Sequence, residues 1–180
     1  MKIAIIDSGG NVQSLRKILN FSGFESYIVN SSKDITDFNI YILPGIGSFD
    51  NPLKKLKDLS LFEFFSKSSN FEDKKLIGIC SGMQILFDRS EEGKSKGLSL
   101  IPGNVLKFKD ISYKIPHMGW NSLKPKNLSF NFKNKRFYFA HSYYIDCEEQ
   151  YVQAYCNYGM DFPAIVRKEN IWGIQFHPEK

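Results

Sequence analysis

The chain has little of what builds cofactor sites, covalent scaffolds or membrane spans. Its 180 residues include three cysteines, three histidines and two tryptophans. Cys80, Cys147 and Cys156 are odd in number and lack framework spacing. That argues against a disulfide scaffold and for free thiols in a reducing, cytoplasmic compartment. The cysteines and histidines lack metal-ligand spacing, so no metal is expected. A phosphate-cradling glycine loop is also missing, so no cofactor is expected. No apolar run approaches the roughly 20 residues that cross a bilayer, and the opening MKIAIIDSGG reaches Asp7 early enough to read as a first strand and not a signal peptide. Arginine-rich runs are missing too. The net charge of +5 and pI near 9.0 come from lysines spread along the chain, which reads as a solvated surface and not a nucleic-acid face. Linkers, repeats and low-complexity tracts are absent, so residues 1–180 are expected to form a single domain. At 42% hydrophobic and 24% charged, the composition is that of a globular chain able to bury a core.

What is present alternates between strand and helix patterns. Lys2–Asp7, Glu25–Val29, Ile40–Leu43 and Leu76–Ile79 are short apolar runs that predict strands. Val12, Leu15, Ile18 and Leu19 repeat at helical spacing up to Gly23, and residues 31–38 could hold a short helix. Asn51–Ser66 reads as a helix broken near Ser60. A further helix, starting after Cys80, is expected to carry Ile85–Phe87 and to end at Ser90–Gly93. Gly97–Pro102, Val105–Phe108, Arg136–Ala140, Val152–Cys156, Ala164–Arg167 and Ile171–Ile174 are further strand candidates. Ile115–Asn121 reads as a rigid loop, in which core packing is the plainest reading of Met118 and Trp120 taken alone and a structural role that of His117. The alternation argues for an α/β doubly wound, mostly parallel sheet, in which ligands bind at the carboxyl ends of the strands.

Chemistry concentrates at Gly78-Ile79-Cys80-Ser81-Gly82. A cysteine between a strand and the next helix sits on a very tight turn, and flanking glycines let the backbone make it. Alone, Cys80 could be a small apolar core residue. A nucleophilic thiolate wants an imidazole, and the imidazole wants an orienting group. His177 and Glu179, two apart near the end of the chain, project to one side of an extended segment. Pro44-Gly45-Ile46-Gly47-Ser48-Phe49 follows the third strand, and its glycines let backbone N–H groups face a developing oxyanion. Gln84, one helical turn beyond Cys80, can face the same pocket.

GICSGMQ at 78–84 with QFHPEK at 175–180 resembles the class I (Cys–His–Glu) glutamine amidotransferase family. The resemblance implies a flavodoxin-like open sheet with helices on both faces and added antiparallel strands in the C-terminal half. It implies hydrolysis of glutamine by Cys80, His177 and Glu179, with oxyanion donors at Gly45, Ile46 and Ser81. Glutamine would be held by Gly47, Gln84, Glu92, His141, Ser142 and Tyr143. Within the family, PHMGWN at 116–121, YFAHSYY at 138–144 and GLSLIPG at 97–103 resemble the glutaminase branch that serves imidazole glycerol phosphate synthesis in histidine biosynthesis. Its partner is a (β/α)8-barrel cyclase that receives the ammonia, and Asn11, Met118, Trp120 and Lys180 match positions facing it. The chain departs from that branch in a shorter first loop, DSGGNVQS. It also lacks the helix that follows HPEK in relatives, so an apolar sheet face is expected to lie open. A paralogue serving another acceptor, such as a surface-sugar amidotransferase, and a non-catalytic regulatory scaffold are the alternatives.

Overall fold

The computed structural model describes residues 1–35, 38–109, 112–126, 132 and 134–180. Residues 36 and 37, within the expected short helix at 31–38, lie outside them; the described part holds a 3-10 turn at Ser32–Asp34. The strands are β1 (Lys2–Ile6), β2 (Glu25–Val29), β3 (Ile40–Gly45), β4 (Lys75–Cys80), β5 (Arg89–Ser90), β6 (Asn104–Lys107), β7 (His117–Asn121), β8 (Leu123–Pro125), β9 (Phe137–His141), β10 (Tyr143–Asp146), β11 (Val152–Asn157), β12 (Asp161–Lys168) and β13 (Ile171–Ile174). The helices are α1 (Val12–Phe21), α2 (Asp50–Asp58), α3 (Phe62–Phe65) and α4 (Ser81–Gln84). The main sheet runs β2-β1-β3-β4-β13-β12-β11-β8. Its first five strands are parallel, and the last three add antiparallel. Two small sheets, β10-β6-β5 and β7-β9, flank it.

Strand alternation sorts the core into two faces. Ile3, Ile5, Ile42 and Ile79 point toward Leu15 of α1. Ala4, Ile6, Tyr41, Leu43 and Leu76 point the other way, toward Leu53 and Leu56 of α2 and Phe65 of α3. The predicted break near Ser60 is present: Ser60 has φ 56° between α2 and α3. Beside α1, on the Ile42 face, Ile40, Ile77, Ile165, Trp172, Ile174 and Phe176 line an open apolar groove of about 410 Å³.

Three expectations are corrected. The helix after Cys80 is one turn long and does not reach Ile85–Phe87. The carbonyls of Ile85, Leu86 and Phe87 accept instead from the amides of Leu98, Leu100, Ile101 and Ser99. Pairing with the 97–101 segment thus replaces the helical bonds, and Ile85, Leu86 and Phe87 are all fully buried. For the same reason Gly97–Pro102 is no strand: it is the irregular partner of that turn. Residues 117–121 form strand β7, not a loop, paired with β9 in the register His117↔His141 through Asn121↔Phe137. One face of β7 buries His117 and the other exposes Met118 and Trp120, which are 64% and 50% exposed and do not pack inward.

Candidate functional site

Three parallel strand ends converge here. β4 is central, with β3 on one side and β13 on the other. The β3 register sets Gly45 opposite Cys80, and the β13 register sets Ile174 opposite Ile79. The chain that leaves β13 therefore carries Gln175 and His177 past the sulfur. Sequence separation is large, but parallel pairing makes these residues neighbours.

Cys80 is the sharp turn itself. Its backbone has φ 55° and ψ −115°, a conformation that costs a residue with a Cβ about 1–3 kcal/mol. The glycines around it answer to space: a methyl on Gly82 would overlap the Leu43 carbonyl oxygen, and one on Gly78 would overlap that of Gly82. The helix that follows, α4, is only four residues long.

His177 is buried, and its Nδ1 lies 3.0 Å from Glu179 Oε1. Its amide donates to the Tyr138 carbonyl at 2.9 Å, which pins the segment to β9. Burial alone would disfavour a charged imidazole, but the hydrogen bonds to the Cys80 sulfur and the Glu179 carboxylate outweigh it and raise His177 to about 10. Burial likewise opposes charge on Glu179, and the His177 bond wins, holding the carboxyl below its usual range. Imidazolium and carboxylate are therefore the standing charges. Cys147 and Cys156 differ: burial pushes both thiols up to about 12, so neither is nucleophilic near neutrality.

A cleft of about 350 Å³ opens on Cys80 and His177. Of the residues singled out from sequence, Ile46, Gly47, Ser81, Gln84, Glu92, Met118, His141, Ser142 and Tyr143 also line it. Gly45 and Glu179 are not on the wall. Gly45 packs against Ser81, and Glu179 stands behind His177. Among the described residues, Ser81 Oγ and Glu179 Oε2 are buried without a hydrogen-bond partner. Glu92 is tied to the loop after β3, its Oε2 accepting from the Phe49 amide at 2.8 Å. Gln84 Nε2 reaches the Tyr143 carbonyl at 3.4 Å and Gln175 Oε1 at 3.2 Å. Asn11 and Lys180 are exposed. Asn11 caps α1 by accepting from the Ser14 amide, and the Trp120 ring rests edge-on against Tyr138. Exposed Ile46 and Met118 give the rim of the cleft an apolar character.

Sequence reasoning missed Gln175, fully buried with Nε2 3.8 Å from the Cys80 sulfur; His117, read there as structural, is buried and does not line the cleft. The signal for Gln175 was its place two residues before His177, on the side of the extended segment that faces β4. His141 differs from expectation in detail. Burial drives it down to about 3 and His117 to about 4, so both rings are neutral. Both His141 nitrogens are already engaged within the protein, Nε2 with His117 Nδ1 at 3.0 Å and Nδ1 with the Tyr143 carbonyl at 2.7 Å.

A cleft with one thiol–imidazole–carboxylate row at its base suits acyl transfer at an amide. The glutamine amidotransferase class-I family model matches residues 4–180. Imidazole glycerol phosphate synthase subunit HisH 2 of Methanococcus maripaludis is 45% identical over 99% of this chain and 92% of its own length. Subunit HisH of Staphylococcus aureus strain Mu50 is 41% identical over 99% and 89%, and that of Bacillus cereus strain B4264 is 43% identical over 99% and 87%. Among solved structures, a glutamine amidotransferase superposes with a TM-score of 0.76 at 18% identity, covering 98% of this chain and 90% of that one. PurLQS from Thermotoga maritima does so with a TM-score of 0.74 at 21% identity, covering 99% and 87%. At those identities the structures speak for the fold.

Proposed function

The chain belongs to the class I glutamine amidotransferase family, and on that premise we propose that it is the glutaminase subunit of an imidazole glycerol phosphate synthase. The observation that carries the proposal is the row Cys80–His177–Glu179 at the base of a cleft whose rim holds Glu92. In this reading the Cys80 sulfur attacks the side-chain amide carbon of glutamine. Backbone N–H groups at Ile46 and Ser81 donate to the oxyanion, with Gly45 setting the loop against α4. His177 gives its proton to the departing ammonia, and a thioester remains. Water, deprotonated by His177, then releases glutamate and the free thiol. Glu92 supplies negative charge for the substrate's α-amino group, and Gly47, Gln84, Ser142 and Tyr143 bound the rest.

Ammonia freed in water at neutral pH is mostly protonated and no longer a nucleophile, so the cleft needs a cap. The exposed Met118 and Trp120 on β7, with Asn11 and Lys180, suit the face for a (β/α)8-barrel cyclase that consumes the ammonia. The test is glutamate release from glutamine by the chain alone, and with a histidine-pathway cyclase plus its ribonucleotide ligand. Stimulation by the cyclase is expected, and Trp120→Ala is expected to weaken it while leaving the low activity of the free chain intact. Activity that ignores the cyclase would move the ammonia to another acceptor.

A second prediction concerns Glu179. Since His177 keeps its proton up to about pH 10, the alkaline limb of kcat/KM should fall near there and not near 6.5. Glu179→Gln removes the carboxylate that favours the imidazolium, so the limb should move to lower pH. A pH–rate profile of both proteins checks it; an unmoved limb would deny Glu179 that role.

A further inference from the structure

Strand β7 sends one hydrogen-bond chain into the wall of the cleft, and its polarity is fully determined. The Asn121 side-chain oxygen accepts from the Ser122 amide at 2.8 Å. Its nitrogen therefore donates, at 2.9 Å to the Asn157 carbonyl and at 3.3 Å to His117 Nε2. With Nε2 accepting, the neutral His117 ring carries its proton on Nδ1, which lies 3.0 Å from His141 Nε2. His141 Nε2 must then accept, which leaves His141 Nδ1–H to donate to the Tyr143 carbonyl at 2.7 Å. The His117 ring is clamped between Phe139 and Tyr158, with centroids 4.7 and 4.0 Å away, so it cannot turn to reverse the order.

We infer that His117 and Asn121 are positioning residues for glutamine binding: they fix the tautomer of His141 and so hold the Tyr143 carbonyl and the bend at Ser142 in the cleft wall. The inference rests on the glutaminase reading. Neither residue touches the cleft, so neither is catalytic. The tautomer with the proton on Nδ1 is the less favoured one for a free imidazole, so two such rings in series need an external cause. Asn121 at one end of the chain and the Tyr143 carbonyl at the other, which can only accept, supply it together. Gln84 donates to the same Tyr143 carbonyl from the other side, so the carbonyl is gripped between the elbow after Cys80 and the β7–β9 ribbon. Loosening one grip should weaken substrate binding and leave the thiol–imidazole row untouched.

Imidazole 15N resonances of the unmodified protein at pH 7 test the polarity without reference to activity, and with three histidines in the chain they are readily assigned. His117 and His141 are both expected to be protonated on Nδ1 and bare on Nε2. Kinetics with the cyclase present test the consequence. His117→Phe keeps the stacked ring and removes the donor. It should raise KM for glutamine about tenfold, the worth of one positioning hydrogen bond, with kcat within about twofold. His117→Asn restores an N–H near the Nδ1 position and should recover most of the KM. An Nε2-protonated ring at either position, an unchanged KM in folded His117→Phe, or a folded His117→Asn no better than His117→Phe would overturn the inference. Should His117→Phe not fold, the tautomers and the KM of His117→Asn decide. If the unmodified protein releases no glutamate at all, the glutaminase reading fails and the role in glutamine binding falls with it, while the tautomers still report the polarity of the chain.

Discussion

Cys80→Ala and Cys80→Gly are both expected to reduce glutamate release to background, and the glycine variant is expected to be the more stable of the two. The first half follows from chemistry. Without the sulfur no thioester forms, and neither His177 nor the oxyanion donors can substitute for a nucleophile. The second half reverses an ordinary rule. Within a strand, glycine is less stable than alanine by roughly 0.5–1 kcal/mol, because it loses more freedom on folding. Cys80, however, holds φ at 55°, where any residue with a Cβ bears a strain of about 1–3 kcal/mol. Alanine keeps that strain and glycine sheds it. A net gain of about 1 kcal/mol shifts the melting temperature by roughly 2–4 °C for a chain of this length. Thermal unfolding of the two variants, beside the glutamate assay, checks both halves. Alanine melting above glycine would mean that the elbow is relaxed and that the cysteine is not held under strain.

The second large effect is expected at Gly82. Gly82→Ala would put a methyl onto the Leu43 carbonyl oxygen and close to Pro44. A side chain could rotate away, but a strand carbonyl in the middle of the sheet cannot. The loss should lie at or beyond the upper end of the overpacking range, about 3 kcal/mol. The damage should also reach the chemistry. Relief requires α4 to move off the end of β3, and that separates Ser81 from the Gly45–Ile46 peptide that it packs against. Lower stability with a lower kcat in the residual folded protein is therefore expected, measured by urea unfolding and by glutamate release. Gly9→Ala is the control: an added methyl there meets nothing within 4 Å, so only the backbone cost of its positive φ remains. Equal losses at the two positions would remove the steric argument.

Much of this was legible in the residues. The strands β1 to β4 and β13 announce themselves as short apolar runs because strands in the interior of a parallel sheet need little polar alternation, and β11 and β12 do so through the apolar residues they bury. A break near Ser60 was expected within the helical stretch 51–66, and Ser60 has φ 56° there. Cys80 between glycines, with His177 and Glu179 two apart, marked the candidate row, since chemistry of that kind requires those residue types in a tight turn and an extended tail. The full-length match to the family model agrees with that pattern.

Other features depended on partners far along the chain. The helix after Cys80 looked longer than it is because Ile85–Phe87 is apolar, and apolarity cannot say which donors will claim a carbonyl; residues 97–101 claim these. Strand β7 looked like a loop because pairing with β9 cannot be seen from one segment, and that pairing alone decides that His117 turns inward while Met118 and Trp120 turn out. The protonation of the histidines is likewise a property of burial and neighbours: the same side chain is raised to about 10 at His177 and lowered to about 3 at His141. By itself, then, the sequence determined the strand–helix alternation, the tight turn at Cys80 and the residue types available for chemistry, because these rest on local geometry and composition. Only the tertiary structure decided which of them meet, which way β7 faces and which imidazole carries charge, because those depend on register and desolvation between segments up to 99 residues apart.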